Sequence, residues 1–341
     1  MRCLTLANEL KCIDDIYIRF LCRHIPESLH ELIQKNEHDI VMLKHVDAVE
    51  QQDELKHSYL LRTSQAQDAT DTIKALSDKS WDWLIVDHYS IDERYESKLR
   101  SYVENIMVID DIADRGHDCD VLLDQNIYFD MEKRYINKVP NRCQTILGPD
   151  YALLRNEFSR LHNKMEPNTK PIERVLIFFG GIDPENLTGM SINAINSLKC
   201  KRLNVDVVIG IEHPNRKEIE RTCELLNYNC HIQTERMAEI IASSDLAIGA
   251  GGSASWERCC LGVATISVAF ADNQHAIARE LDRVGACIFL GDHTSINQKM
   301  IEDTVSELIL DYERVKSMST IGYSIVDGQG AKRVCEILNQ F

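Results

Sequence analysis

The chain has no apolar run longer than about seven residues, far short of the roughly 20 that a membrane-spanning helix needs. Its 12 cysteines include no C-x-x-C pair and no Cys/His cluster of zinc-finger spacing. In a chain this long, that pattern fits reduced, mostly buried thiols in a cytoplasm. There is no fixed-period repeat and no low-complexity segment, so the chain is not organised as a solenoid or a disordered array. Residues 1–15, MRCLTLANELKCIDD, have no sustained apolar core and do not read as a signal peptide. Positive charge is the scarcer sign: 38 Lys and Arg stand against 54 Asp and Glu, a formal net charge of −16. That balance argues against nucleic acid or a membrane surface as the main partner. It leaves room for an anionic small molecule, because a local nest of backbone donors holds one even against an acidic background.

The 341 residues and their apolar fraction are those of a globular protein with two domains, each able to bury a full core. Residues 1–11 read as a helix, with Leu4, Ala7 and Leu10 recurring on one face. Residues 16–22, 39–46, 81–87, 106–109 and 121–123 read as strands, with helices over 27–36, 68–77 and 91–103. Strands alternating with helices are the mark of βαβ units and a parallel sheet. Residues 156–173 are polar and without apolar period, and the domain boundary is expected there. The alternation restarts with strands at 174–179, 205–209, 231–234, 246–248, 264–270 and 286–290. Helices near 295–311 and 330–339 close the chain. The expected architecture is α/β: two doubly wound, Rossmann-like domains facing a cleft, over residues 1–160 and 172–341. The last helix is free to pack back on the N-terminal domain. Ligands of such sheets sit at the carboxyl ends of the strands.

The most informative stretch is residues 245–262, DLAIGAGGSASWERCCLG. A short apolar strand runs into Gly249, Gly251 and Gly252, with Ser253 as N-cap and a helix from Ala254. Glycines let the backbone turn sharply and approach a ligand, and a helix start favours an anion such as phosphate. Glu257 lies one turn in, where a carboxylate can accept from two vicinal hydroxyls, as on a ribose. The combination points to a nucleotide diphosphate site; a plain structural turn is the competing reading.

Other candidates are weighed in the same way. Trp256 and the Cys259-Cys260 pair read as packing. Asp110-Asp111 either orients a water or metal or simply caps a strand end. His88 reads as a surface or supporting histidine. His117 would need Asp118 and Asp120 to hold a metal and lacks a second histidine. Arg115 and Arg155 reach either a phosphate or an interdomain salt bridge, the latter preferred for Arg155. Asn126, after a strand, is a candidate for contacts to the acetamido groups of a sugar.

Several stretches together resemble the PseG family, the UDP-2,4-diacetamido-2,4,6-trideoxy-β-L-altropyranose hydrolases of pseudaminic acid synthesis, relatives of MurG-type transferases with the GT-B fold. They are VDHYSID at 86–92, VIDDIADRGHDCDVLLDQN at 108–126, LGPDYALLRNEF at 147–158, LIFFGGIDPENLT at 176–188 and IGAGGSASWERCCLG at 248–262, with MRCLTLA at the start and NQ at 273–274. The resemblance implies hydrolysis of a UDP-linked sugar to UDP and free sugar, with inversion at the anomeric carbon and no tightly held metal or other cofactor. It matches Glu257 to the acid on the ribose, and Gly251, Gly252 and Ser253 to the diphosphate loop. It matches Asn273 to a ligand-contacting asparagine and Tyr89 to an aromatic near the sugar. By themselves Asp183 and Pro184 read as an N-cap and first helical position; the resemblance makes Gly180, Gly181 and Asp183 a second glycine loop facing the cleft.

One departure concerns the family's Gly-x-Gly-His-x-x-Arg-Cys motif, whose His is the proposed base. Here Met1-Arg2-Cys3 stands where that motif ends, so the His would precede residue 1 and no catalytic residue is assigned. The expectation is that the true N-terminus, with the first strand, is missing from this sequence. A MurG-like glycosyltransferase and an inactive UDP-binding homologue are the alternatives.

Overall fold

The alternation predicts parallel sheets, and every strand pair in this computed structural model is parallel. The structure describes residues 1–13, 16–44, 53–167, 170–198 and 203–341. Strands β1 (Arg19–Cys22) and β2 (Asp39–Met42) pair with each other. Strands β3 (Trp83–Val86), β4 (Asn105–Ile109), β5 (Val121–Asp124) and β6 (Gln144–Leu147) form a second sheet in that order. The third sheet contains β7 (Arg174–Phe178), β8 (Asn204–Ile209), β9 (Asn229–Ile232), β10 (Leu246–Ala250), β11 (Ala264–Ala269) and β12 (Cys287–Asp292). Its spatial order is β12-β11-β10-β7-β8-β9.

The chain divides into two compact units. The first comprises residues 1–126, 130–153 and 330–341 and holds β1 to β6. Alternation along its strands separates two cores, as the period of two demands. Met107, Ile109, Val121 and Leu123 pack on one face with Leu6 of the helix Arg2–Ile13 and Val334 and Leu338 of the helix Gly330–Leu338. Ile106, Val108 and Leu122 face the other way, against Leu99 and Tyr95. The second unit comprises residues 127–129 and 154–329. Its strands β7, β8, β10 and β11 are almost wholly buried and nearly continuous in Val, Ile, Leu and Ala, as a parallel sheet covered on both faces requires.

Several boundaries differ from expectation. The first strand is four residues, and residues 45–46 of the second expected strand lie outside the described residues. Strand β6 and the helix Tyr312–Ile325 carry weak apolar patterns and are additional to the sequence reading. The helix Asn156–His162 occupies the start of the segment expected to be irregular. No helix among the described residues is long and apolar enough to cross a membrane.

Candidate functional site

The order of the third sheet reverses between β7 and β10: the chain runs outward from β7 through β8 to β9, then returns to lay β10, β11 and β12 on the other side. A reversal of this kind opens a crevice at the carboxyl ends of the two central strands, where doubly wound sheets bind ligands. Both glycine turns leave the sheet at this point, Gly180-Gly181 after β7 and Gly249 to Ser253 from β10.

The glycines divide by what stands beside them. A Cβ on Gly249 would lie 2.3 Å from the Phe178 carbonyl oxygen, and one on Gly210 would lie 2.2 Å from that of Gly181. These two exist to let neighbouring strand ends approach. At Gly180 (φ +96°) and Gly181 a Cβ would meet nothing within 4 Å among the described residues, so this turn presents bare backbone to open space. Gly251 is buried and its N–H donates to the Val268 carbonyl at 2.9 Å, which corrects its expected role as a ligand donor: it packs the turn onto β11. The backbone N–H groups of Gly252, Ser253 and Ala254 have no acceptor among the described residues. Three successive donors without internal partners form a nest suited to phosphate oxygens. Ser253 is helical in backbone and exposed, and its hydroxyl makes no cap bond, contrary to the expected N-cap.

Glu257 is half-buried, its side chain 22% exposed, on the short helix Ala254–Cys260. Burial pushes its carboxyl up to about 7, against the opposing pull of Arg155 and Arg258. The Arg155 guanidinium lies 3.9 Å from Glu257 and 2.8 Å from Glu157, so its ion pairs fall within the second unit rather than between domains. Trp256 is fully buried, as expected of a core residue. Asn273 is partly exposed near the start of the helix Asp272–Arg283, while its neighbour Gln274 accepts from the Phe270 N–H.

Asp183 caps a helix, as the residues suggest, although that helix starts further on at Leu187; its burial corrects the cleft-facing role that the resemblance implies. It is 3% exposed and in a left-handed conformation (φ +41°), and its carboxylate accepts from the N–H groups of Leu187 and Thr188. It caps the helix Leu187–Asn196 from four residues upstream of the helix start, with His213 3.5 Å behind it.

In the first unit the strand ends gather charged groups. Arg2 joins Asp87 after β3 (2.7 Å) to Asp111 after β4 (3.1 Å). Tyr89 is half-buried beside them; burial and its bond with Asp111 raise its hydroxyl pKa. Asp110 is held ionised by Arg115 and by the Ala113 N–H. Arg115 is therefore committed to Asp110 and is not free for a phosphate. His117 is buried against Glu96 at 2.8 Å, and Asp118 and Asp120 pair with Arg142 and Arg100, which removes this trio as a metal set. Burial pushes Asp124, at the end of β5, up to about 7. The Tyr135 hydroxyl lies 3.0 Å from Asp110 Oδ2 and 3.1 Å from Asp124 Oδ2, a bridge between two buried acids that the sequence did not reveal. Asn126 is 4% exposed, and its N–H donates to Asp124.

Residues 175–331 match the glycosyltransferase family 28 C-terminal domain. That stretch encloses both glycine turns, Glu257 and Asn273. The chain is similar to the spore coat polysaccharide biosynthesis protein SpsG of Bacillus subtilis, with 28% identity over 214 residues, 62% of this chain and 62% of that protein. It is also similar to the UDP-2,4-diacetamido-2,4,6-trideoxy-β-L-altropyranose hydrolase of Campylobacter jejuni, with 27% identity over 216 residues, 62% of this chain and 75% of that one. The aligned part thus spans less than two thirds of the Bacillus relative. Among solved structures, MurG of Acinetobacter baumannii aligns with a TM-score of 0.66 and 14% identity, over 100% of this chain and 95% of that one. The fold is GT-B.

Proposed function

We propose that this chain hydrolyses a UDP-linked diacetamido-trideoxy sugar to UDP and the free sugar, in the cytoplasm, as a step of pseudaminic acid-type synthesis. One observation carries the reading: at the β7/β10 reversal, bare glycine backbone and three unengaged N–H donors stand one helical turn from a half-buried carboxylate. A diphosphate fits the donors and a ribose fits the acid. The similarity to the Campylobacter jejuni hydrolase supports water as the acceptor.

In this reading the anomeric C–O bond breaks with UDP as leaving group. Negative charge grows on the diphosphate, and donors at Gly252 to Ala254, fixed beforehand by the turn, stabilise it more in the transition state than in the ground state. Water adds its oxygen to the anomeric carbon from the opposite face. The Glu257 carboxylate accepts from both ribose hydroxyls and fixes the nucleotide. We assign Asn273 and the open turn Gly180-Gly181 to the substrate, and Tyr89 and Asn126 to the sugar.

Incubation of the protein with the UDP-sugar and no acceptor tests this. Equal amounts of UDP and free sugar are expected; no turnover without an acceptor would overturn it. A second reading, transfer of the sugar to an acceptor hydroxyl, is favoured by the family 28 match. It predicts UDP release only when an acceptor is added.

A further inference from the structure

Arg258 follows Glu257 on the same helix but is buried, 2% exposed. Its Nη2 donates to the Ala250 carbonyl at 2.7 Å and to Ser255 Oγ at 3.2 Å. Its Nη1 lies 3.2 Å from the point a Cβ on Gly249 would occupy, and the Phe178 carbonyl lies 2.3 Å from that same point. The guanidinium therefore sits at the ends of β7 and β10, beneath the place where both glycine turns leave the sheet. Its Nε has no hydrogen-bond partner, and no carboxylate lies within ion-pair distance, among the described residues.

An arginine taken out of water without a counter-ion is among the costliest side chains to bury. The hydrogen bond to Ala250 alone does not explain it, since one carbonyl acceptor does not offset the burial of a full charge. The positive charge is what needs an explanation.

We propose that Arg258 is a buried counter-charge for the diphosphate held at the two glycine turns, a positioning residue that acts through Gly249 and Ala250 without touching the phosphates. This rests on the UDP reading above. The charge lies in a low-dielectric interior, so salt screens it little, and its attraction for an anion across the turn is stronger than that of a surface cation. It would favour UDP over uridine and add to the stabilisation of the leaving group.

Calorimetric titrations of wild type, Arg258→Lys and Arg258→Gln with UDP and with uridine test it. Arg258→Gln loses the charge and, being shorter, the bond to Ala250 as well; uridine reports that second loss, so UDP should weaken roughly tenfold or more while uridine changes less than about threefold. Arg258→Lys keeps the charge, and its preference for UDP over uridine should stay near that of wild type. Equal UDP affinity in Arg258→Gln, or equal loss for both ligands, would reduce Arg258 to a structural part of the turn. If Arg258→Gln does not fold, Arg258→Lys decides: a folded lysine variant that loses the preference overturns the proposal. Failure of wild type to bind UDP would instead remove the nucleotide reading itself.

Discussion

Glu257 concentrates the chemistry of the second unit in one carboxyl group. Its pKa of about 7 lies above that of an ordinary glutamate, because burial opposes its charge. Ribose hydroxyls need the ionised form as acceptor, so uridine should bind more tightly as pH rises through 7, with affinity at pH 5.5 roughly tenfold below that at pH 8. Uridine isolates the effect, having no phosphate to titrate in that range, and Glu257→Gln should flatten the profile. The stability linkage runs in the opposite direction. A raised folded-state pKa means that the native state holds its proton more tightly than the unfolded chain. That contribution is present below about 4.5 and lost as pH rises through 7, so Glu257→Gln should raise the melting temperature at pH 8 relative to wild type. The glycines divide just as sharply. Gly249→Ala drives a methyl into the Phe178 carbonyl and should prevent folding or cost several kcal/mol. Gly181→Ala meets no atom within 4 Å among the described residues and should melt within about 2 °C of wild type while weakening UDP-sugar binding. The strand, turn and helix that carry Glu257 and the glycines were legible, because an apolar run, a glycine cluster and a helix-forming stretch follow one another in the sequence. The capping role of Asp183 was legible from the Asp-Pro pair; the start of its helix at Leu187 was not, because Asn186 supplies a second cap.

At the level of elements, the strand ends carry the argument. The βαβ alternation gave the parallel sheets and located the suggestive residues after β3, β4, β7 and β10. Strand order is not written in that alternation, so the reversal between β7 and β10 came only from the structure. Strand β6 (QTIL) escaped notice because its first two residues are polar and exposed. The helix Tyr312–Ile325 escaped because only Val315 and Met318 of its buried face are large and apolar; Gly322 packs near the Cys259 backbone and Ser319 donates to the Gly262 carbonyl. The link between β4 and β5 through Tyr135 was equally hidden, since the three residues are distant in sequence. The Tyr135 hydroxyl is shared as donor between Asp110 and Asp124, and Asp124 Oδ2 also accepts from Arg134 Nε at 3.2 Å. Tyr135→Phe breaks both bonds and should destabilise the protein by about 1–3 kcal/mol, measured by urea unfolding at pH 7.

For the molecule as a whole, a net charge of −16 is compatible with the proposed anionic ligand, because the groups assigned to it are backbone donors and not surface lysines. Binding should then depend only weakly on salt, unlike association steered by a basic surface. UDP should raise the melting temperature of the whole chain by linkage, and uridine should raise it less at equal concentration. The central claim, that the glycine turns and Glu257 of the second unit hold UDP, meets its most direct test in titrating UDP into wild type and Glu257→Ala at pH 8. A saturable one-to-one isotherm for wild type, weakened roughly tenfold or more in the variant, is predicted. Equal affinity in the two proteins, or no binding to wild type, would contradict it.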